Sequence, residues 1–305
     1  MAVLSKEDAK NHREACALVA LDRDLTEDER DIVLRYWQES SNVTNKLDGA
    51  FFTPEALAYD LQFHVHGDRI IDLCAGIGTL AYCNRELYAR RPGNSEGKPP
   101  REIVCVEKNP AYVEVGRKLL PEATWICADV LDVPGMGLGT FDTAIANPPF
   151  GRITRSGNAP GYTGPYFEYH AIAVASLIAR NGAFIIPDMS APFRHIGRPG
   201  YRNLDRHESA RYNAFHRQTG IVLRDNVGID ASMYEGWRGV SPHIEVVACD
   251  FEEEPPKALA DERPRPQRAA CPAKAAAPVP VAAPRVAVPA QEAEPSEAHS
   301  DGFLF

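Results

Sequence analysis

Residues 69–81 form the pattern that most constrains the fold, an apolar strand that turns on glycines into a helix. The strand ends on Asp72, and Gly76 and Gly78 follow within six residues. Glycine has no side chain, so the backbone of such a turn can approach a ligand closely. Strand and helix signals then alternate from 50 to 190. This alternation predicts an α/β fold with a Rossmann-like, doubly wound sheet.

The glycine turn is open to two interpretations. As a bare pattern, Gly76, Gly78 and Ala81 match the fingerprint of dinucleotide-binding proteins, which tolerates alanine at its third position. Asp72 separates the two, because a carboxylate four residues before the first glycine is unfavourable beside a pyrophosphate. It suits the methionine part of S-adenosylmethionine (SAM), which carries an ammonium and a sulfonium and no phosphate. We therefore predict that SAM binds at this turn.

Two more acids stand where the next apolar strands end. Glu107 follows residues 103–106, where a carboxylate can accept hydrogen bonds from both hydroxyls of a ribose. Asp129 follows residues 124–127, where an acid can accept a hydrogen bond from the amino group of adenine. One acid at a strand end is an ordinary solvated charge. Three acids at successive strand ends predict a nucleoside site.

A further apolar strand ends on Asn147-Pro148-Pro149-Phe150. The Asn147 side-chain oxygen and the Pro148 carbonyl can both accept hydrogen bonds from an amino group whose lone pair is conjugated, as on adenine or on a carboxamide. These bonds return electron density to the nitrogen and aim its lone pair at an incoming methyl group. Phe150 offers a face on which a flat base can stack. A plain Asn-Pro turn is the alternative, and the acids upstream favour the catalytic interpretation.

In these motifs the chain resembles the class I SAM-dependent methyltransferases and, within them, the amino-methyltransferases of the N6-adenine DNA type. The resemblance covers residues 50–190 with specific motifs and extends more loosely to 251. It implies SAM as the cofactor and a catalytic set of Asn147, Pro148, Pro149 and Phe150. The cofactor-binding residues that it implies are Phe52, Thr53, Pro54, Asp72, Ala75, Gly76, Gly78, Glu107, Asp129 and Asn147.

The Phe51-Phe52-Thr53-Pro54 element precedes the glycine turn. In the family that the chain resembles, this order marks the branch with target recognition near the C-terminal end. The resemblance also places the Thr-Pro pair near the methionine carboxylate of SAM and favours DNA over RNA. Thr53 independently suits the N-cap of a helix that begins at Pro54, whose N-terminus would attract a carboxylate.

The chain departs from that branch in one respect. Its sequence-specific members carry a sizeable C-terminal recognition domain, whereas only the 55 residues 191–245 are available for one here. We therefore expect a target specificity that is short, weak or supplied by another subunit.

Charge is distributed unevenly along the chain. The net charge is −9, yet residues 151–224 carry 10 arginines, no lysine and 4 acids, a local balance of +6. Arginine suits phosphate binding and base stacking, so this arginine zone, the arginines of 151–224, predicts contact with nucleic acid. A solvated, salt-bridged surface is the alternative. The arginines assigned to the substrate are Arg152, Arg155, Arg198, Arg202 and Arg206, and the aromatic residues between them are Tyr162, Tyr166, Phe167, Tyr169, Tyr201 and Tyr212.

The flanks of the methyltransferase-like domain, assigned to residues 50–251, differ from it. Residues 1–49 predict two polar helices that cover the sheet, the second beginning with the capping box Thr26-x-x-Glu29. Residues 252–305 hold 10 prolines and 14 alanines and predict a disordered tail.

Two features near the C-terminal end of the sequence complete the predicted organisation. Within the domain, 220–224 and 243–249 predict an antiparallel strand pair that closes the sheet. In the tail, the last residues, Phe303-Leu304-Phe305, resemble the short docking peptides with which bacterial replication proteins bind a sliding clamp or other partners. An accidental apolar terminus is the alternative.

Composition predicts a cytoplasmic enzyme without disulfides or a metal. The 7 cysteines include no Cys-x-x-Cys pair, and the histidines do not cluster at metal-ligand spacing. The chain has no apolar run of 18 residues, and its N-terminal segment lacks the apolar core of a signal peptide.

The motifs together predict methyl transfer from SAM to the exocyclic N6 amine of adenine in nucleic acid, with DNA favoured. In a duplex the base would first be flipped out of the stack. Two alternatives stay open. A protein glutamine N5-methyltransferase would use the same Asn-Pro-Pro-aromatic element on a carboxamide but would have little use for the arginine zone. A non-catalytic SAM- or NAD-binding module, recruited by its tail, would bind ligand and transfer nothing.

Overall fold

A six-stranded sheet forms the centre of the described domain. The computed structural model describes residues 6–37, 52–86, 98–195, 204–206, 209–226, 228–234, 236–237 and 242–257. The strands of the sheet are β1 (Arg69–Asp72), β2 (Glu102–Glu107), β3 (Thr124–Cys127), β4 (Phe141–Ala146), β5 (Ala179–Pro187) and β8 (Ile244–Asp250), while β6 (Phe193–His195) and β7 (Leu204–Arg206) form a separate antiparallel pair. The six strands lie in the order β3-β2-β1-β4-β5-β8, in which the first five are parallel and β8 is antiparallel.

Helices cover both faces of the sheet. Successive residues of a strand point to opposite faces, and the buried core accordingly divides into two clusters. Ile70 belongs to one cluster and Ile71 to the other. The first cluster includes residues of α2 (Glu27–Tyr36), α3 (Glu55–Asp60), α4 (Thr79–Cys83) and α5 (Pro110–Leu119), and the second includes residues of α6 (Phe167–Ile178) and α7 (Ala210–Thr219). The predicted doubly wound α/β fold is confirmed.

In the N-terminal segment, residues 6–37 are described and form two helices. They are α1 (Lys6–Val19) and α2, and the capping box at the start of α2 is formed in both directions between Thr26 and Glu29. Arg23 hydrogen-bonds the same carboxylate, which lowers the pKa of Glu29 to about 2. Val33 and Leu34 bury the other side of α2 in the core.

One predicted strand is wrong. Residues 220–224 do not form a ladder with β8, and only Arg224 pairs with it, opposite Ala248. The reason is that two N–H groups of this segment already have partners on α7. That of Ile221 donates to the Thr219 hydroxyl, and that of Leu223 to the Tyr212 hydroxyl. Strand β8 pairs instead with β5.

The chain remains attached to the domain beyond Phe251. Residues 252–257, which the sequence assigns to the tail, include the buried Pro256. The Lys257 ammonium donates to the Arg217 carbonyl, and Arg224 forms ion pairs with Glu253 and Glu254. The remaining tail and its apolar tip, Phe303, Leu304 and Phe305, lie outside the described residues.

Across the described ranges, no helix is both long and apolar enough to cross a membrane.

Candidate functional site

A cavity of about 580 Å³ opens where β1, β2, β3 and β4 end. In open α/β sheets, ligands bind outside the carboxyl ends of the strands, and this volume lies in the range of small-molecule sites. A pocket of about 30 Å³ shares Phe52, Gly76 and Asn147 with it. The predicted site residues that line one or both cavities are Phe52, Thr53, Ala75, Gly76, Glu107, Asp129, Asn147, Pro149 and Arg155.

Other predicted site residues lie around the cavity rather than on its wall. Pro54, Asp72, Gly78, Pro148, Phe150 and Arg152 are not among the lining residues. Phe150 is half-buried and packs against the first core cluster, which also receives Phe52. The stacking role of Phe150 stays a prediction. The part of the chain that the structure describes contains no group of three or more His, Cys, Asp or Glu residues that could hold a metal ion.

The turn after β1 requires glycine at two positions. Gly76 has φ 57° and Gly78 has φ 93°, conformations that side chains of L residues rarely adopt. A Cβ on Gly78 would also lie 3.0 Å from the Trp125 ring. The close approach of backbone to ring explains why this turn carries no side chain there.

Asp72 lies beneath this turn, fully buried. Neither carboxylate oxygen has a hydrogen-bond partner of good geometry. Burial raises the pKa of Asp72 to about 8. The backbone N–H groups of Cys74 and Ala81 lower this pKa only in part, because neither forms a hydrogen bond of good geometry with the carboxylate. A buried acid without a donor is unfavourable in the folded protein, so an arriving cation or N–H group would find an unused acceptor.

Glu107 stands on the cavity wall at the end of β2. Its Oε2 accepts the N–H of Gly76 at 2.8 Å, and its Oε1 accepts the N–H of Asn109 at 2.7 Å. Burial raises the pKa of Glu107, and these backbone N–H groups partly offset the rise. A carboxylate has about four acceptor positions. Two held by the backbone fix its orientation, and two others can accept a pair of hydroxyl groups.

Asp129 faces the cavity from the end of β3. It accepts hydrogen bonds from the Leu131 N–H, the Lys108 ammonium and the Ser156 hydroxyl. Burial acts to raise the pKa of Asp129, but these three donors outweigh it and lower the pKa. The side chain is therefore a fixed anion, as an acceptor for an adenine amino group requires.

Asn147 joins the cavity to the Thr-Pro element. Its Nδ2 donates to Thr53 Oγ1 at 3.0 Å. The acceptor atom of the amide is Oδ1, and an amine substrate needs such an acceptor. The predicted N-cap role of Thr53 is wrong. Helix α3 begins at Glu55 with Pro54 as its N-cap and no side-chain cap, because the Thr53 hydroxyl faces Asn147 instead.

Sequence reasoning missed Glu168, which holds the loop after Asn147. Its carboxylate is fully buried, accepts the Gly151 N–H at 2.8 Å and accepts the Ser190 hydroxyl at 2.7 Å. The Gly151 carbonyl in turn accepts the N–H of Phe167 at 2.8 Å. Both backbone groups that follow the Asn-Pro-Pro-Phe element are thus tied to the start of α6. An acid in the first turn of a helix is common, so the sequence carries no signal for this role.

The arginines assigned to the substrate fall into three groups. Arg155 lines the cavity and donates to the Asn158 side chain and the Gly164 carbonyl, within its own loop. Arg152 is exposed, with its guanidinium 5.5 Å from the centre of the Tyr166 ring. Arg198, Arg202 and the side chain of Arg206 lie outside the described residues.

The aromatic groove predicted between these arginines is wrong for Tyr162 and Tyr169. Tyr162 and Tyr169 are buried in the second core cluster and contact Phe215. Phe167 is also buried, although it reaches the cavity wall. Aromatic rings stabilise a core as well as a groove, and these two tyrosines pack against each other and against Phe215 of α7.

Similarity to solved structures agrees with this architecture. No protein-family model matches the sequence, and no curated protein matches it significantly. The fold is similar to that of a candidate class I SAM-dependent methyltransferase from Listeria monocytogenes, with a TM-score of 0.50, 10% identity and 81% of each chain covered. The protein therefore has the fold of the class I methyltransferases.

Two other solved structures match the chain with lower TM-scores. One structure is the modification subunit of a candidate type I restriction enzyme from Vibrio vulnificus, with a TM-score of 0.45, 13% identity, and coverage of 75% of this chain and 50% of that one. Another is a candidate RNA methyltransferase from Pyrococcus horikoshii, with a TM-score of 0.37, 17% identity, and coverage of 78% and 97%.

Proposed function

We propose that this protein is a SAM-dependent methyltransferase that methylates the exocyclic N6 amine of adenine in nucleic acid, with DNA preferred over RNA. The observation that carries the proposal is the position of Asn147. Its side chain is anchored to Thr53 and lines the same cavity as Glu107 and Asp129. An amide acceptor for an amine thus shares one cavity with two carboxylates suited to a nucleoside.

The residues present fit SAM. Glu107 offers acceptor positions to the ribose hydroxyls, Asp129 offers a fixed anion to the adenine amino group, and the glycine turn allows close approach of the backbone. Asp72 is an orphaned acceptor for the ammonium of the methionine part. When bound, SAM supplies a methyl group activated by an adjacent sulfonium.

The chain's own contribution to catalysis is positioning and electrostatics. Asn147 Oδ1 and the Pro148 carbonyl accept hydrogen bonds from the two N–H groups of the target amine, which makes its nitrogen more nucleophilic. Glu168 fixes the loop that carries both acceptors, through the N–H of Gly151. The preference for adenine over a glutamine carboxamide is supported by the arginine zone, which a protein substrate would not require.

The class of acceptor tests the proposal. Full-length protein is incubated with tritiated SAM and, in parallel, with unmethylated genomic DNA, total RNA and protein extract. We expect incorporation into DNA that is sensitive to nuclease and resistant to protease. Incorporation into protein alone would replace the proposal with the glutamine N5 reaction, and SAM binding without incorporation into any acceptor would indicate a non-catalytic module.

Thr53 is expected to act as a positioning residue for Asn147. Thr53→Val keeps the shape of the side chain and removes the hydroxyl that accepts from Asn147 Nδ2. Loss of one such hydrogen bond is worth about 0.5–1.5 kcal/mol, so we expect kcat to fall by up to about tenfold, with SAM affinity nearly unchanged. Thr53→Ser keeps the hydroxyl and should restore kcat. Weaker SAM binding at unchanged kcat would instead assign Thr53 to the cofactor.

A further inference from the structure

Three arginines of the arginine zone have acidic partners. Arg180 pairs with Glu252, Arg194 with Asp188, and Arg224 with both Glu253 and Glu254, at N–O distances of 2.8–3.3 Å. These residues fit the interpretation of the zone as a salt-bridged surface. Their charges are neutralised locally, so they contribute little attraction for a phosphate.

Arg152 and Arg211 differ from these three arginines. Within the described residues, neither has a carboxylate within 4.0 Å. Both guanidinium groups lie against the ring of Tyr166, with Cζ at 5.5 Å from its centre for Arg152 and at 4.4 Å for Arg211. Arg211 also contacts the sulfur of Met189, a side chain that is 54% exposed.

This arrangement gathers two like charges at one ring. The contact with Tyr166 orients the planar guanidinium groups and reduces the freedom that they would lose on binding. Among the described residues no carboxylate lies near either charge, so an incoming anion would relieve their mutual repulsion. Arginine binds phosphate with two parallel hydrogen bonds, which a fixed guanidinium plane favours.

The surface lies beside the cavity. Ile153 and Phe167, the sequence neighbours of Arg152 and Tyr166, line the cavity that contains Asn147. The Gly151–Phe167 backbone hydrogen bond joins the two segments. The loop between them is braced by His170, which accepts the Ala159 N–H at Nδ1 and bonds the Gly164 carbonyl through Nε2. Arg152 and Tyr166 are thus held at the edge of the cavity, and Arg211 reaches this edge through its contact with Tyr166.

We propose that Arg152, Tyr166 and Arg211 form the surface that binds the phosphodiester backbone next to the target base, with the two arginines contacting phosphates and Tyr166 holding them in place. The proposal rests on the proposed function, because it takes nucleic acid as the substrate. It adds Arg211 and Tyr166 to the substrate-binding residues and separates Arg152 from the ion-paired arginines of the same zone.

A pair of double variants of the full-length protein tests this surface. Arg152→Gln with Arg211→Gln removes the proposed phosphate contacts. Arg180→Gln with Arg224→Gln removes the same charge from two arginines that are ion-paired. Binding of a labelled single-stranded oligonucleotide is followed by fluorescence anisotropy over a series of salt concentrations, and SAM affinity is measured alongside.

We expect the first double variant to lower the slope of log affinity against log salt by about 1.4, since each phosphate contact contributes about 0.7 in a single strand. The control variant should keep a slope close to that of the wild type, and both should bind SAM normally. Tyr166→Leu should weaken oligonucleotide binding while retaining most of the slope, because it keeps both charges.

Three results would overturn the proposal. Equal slopes in the two double variants would show that only net charge matters. An unchanged slope in the first variant, while the wild-type protein still methylates nucleic acid, would remove this surface and leave the proposed function intact. Failure of the wild-type protein to bind or methylate any nucleic acid, with labelling of protein in its place, would overturn both, and binding of an acidic peptide would then identify the ligand of this surface.

Discussion

Asn147→Ala is expected to reduce methyl transfer by about a thousandfold or more while SAM affinity stays within a few-fold of the wild type. Removal of a preorganised group that acts on the transition state typically lowers the rate by about 10²–10³. In the proposed mechanism the same side chain also holds the amine in line with the methyl group, so we expect the loss of rate to reach the upper end of this range. The measurement is single-turnover incorporation of methyl at saturating SAM, with the SAM dissociation constant from calorimetry.

The control for Asn147→Ala is a second truncation in the same cavity. Thr154 also lines it, has an exposed side chain and carries no predicted role. Thr154→Ala should keep the rate within about threefold, in the range typical of surface substitutions. If Asn147→Ala remained active, or if both variants lost activity equally, the assignment of Asn147 to the target amine would be wrong.

Asp72→Asn is expected to raise the stability of the protein at pH 8 while weakening SAM binding by tenfold or more. The pKa of Asp72 is about 8 in the folded protein, against an ordinary value of 3.8 in the unfolded chain. Between these values the folded state binds more protons, so the contribution of Asp72 to stability is lost as pH rises from about 4 to 8. Asparagine does not titrate and avoids this loss. We expect a gain of at least about 1 kcal/mol at pH 8, or about 2–4 °C in melting temperature.

The same substitution reports on the cofactor through proton release. A cation beside Asp72 favours its ionised form and lowers its pKa, so SAM binding at pH 7 should release close to one proton from Asp72. Calorimetry in two buffers of different ionisation enthalpy measures this release in the wild type and its absence in Asp72→Asn. Unchanged SAM affinity and proton release in the variant would mean that Asp72 is a buried residue of the core with no part in binding, in keeping with its position outside the cavity wall.

Much of the fold could be predicted from the sequence because its signals are local. The strand that ends on Asp72, the glycine turn and the strand before Asn147 each occupy a few consecutive residues, and the structure has them where the pattern indicates. The strand predicted over 220–224 was wrong because its apolar residues are buried without joining the sheet. Burial produces the same apolar pattern in a strand and in an irregular segment.

The candidate site was less predictable because its contacts are long-range. Asn147 and Thr53 are 94 positions apart, and Gly151 and Glu168 are 17 apart. Neither pair belongs to a short sequence motif, so neither contact could be predicted from residue spacing. The tyrosines of the arginine zone show the opposite problem, since Tyr162 and Tyr169 fit a nucleic-acid groove by sequence and are buried by packing. The sequence pattern is the same for a ring that packs in the core and for a ring that binds a base.

The most direct test of the central claim is the identity of the methylated product. Wild-type protein and Asn147→Ala are incubated with unmethylated DNA and SAM that carries a trideuterated methyl group, and the DNA is digested to nucleosides for mass spectrometry. The predicted result is N6-(trideuteromethyl)deoxyadenosine from the wild type and none from the variant. Label on any other nucleoside, or on adenine N6 to the same extent with Asn147→Ala, would contradict the assignment of Asn147 as the residue that presents an adenine amine to SAM.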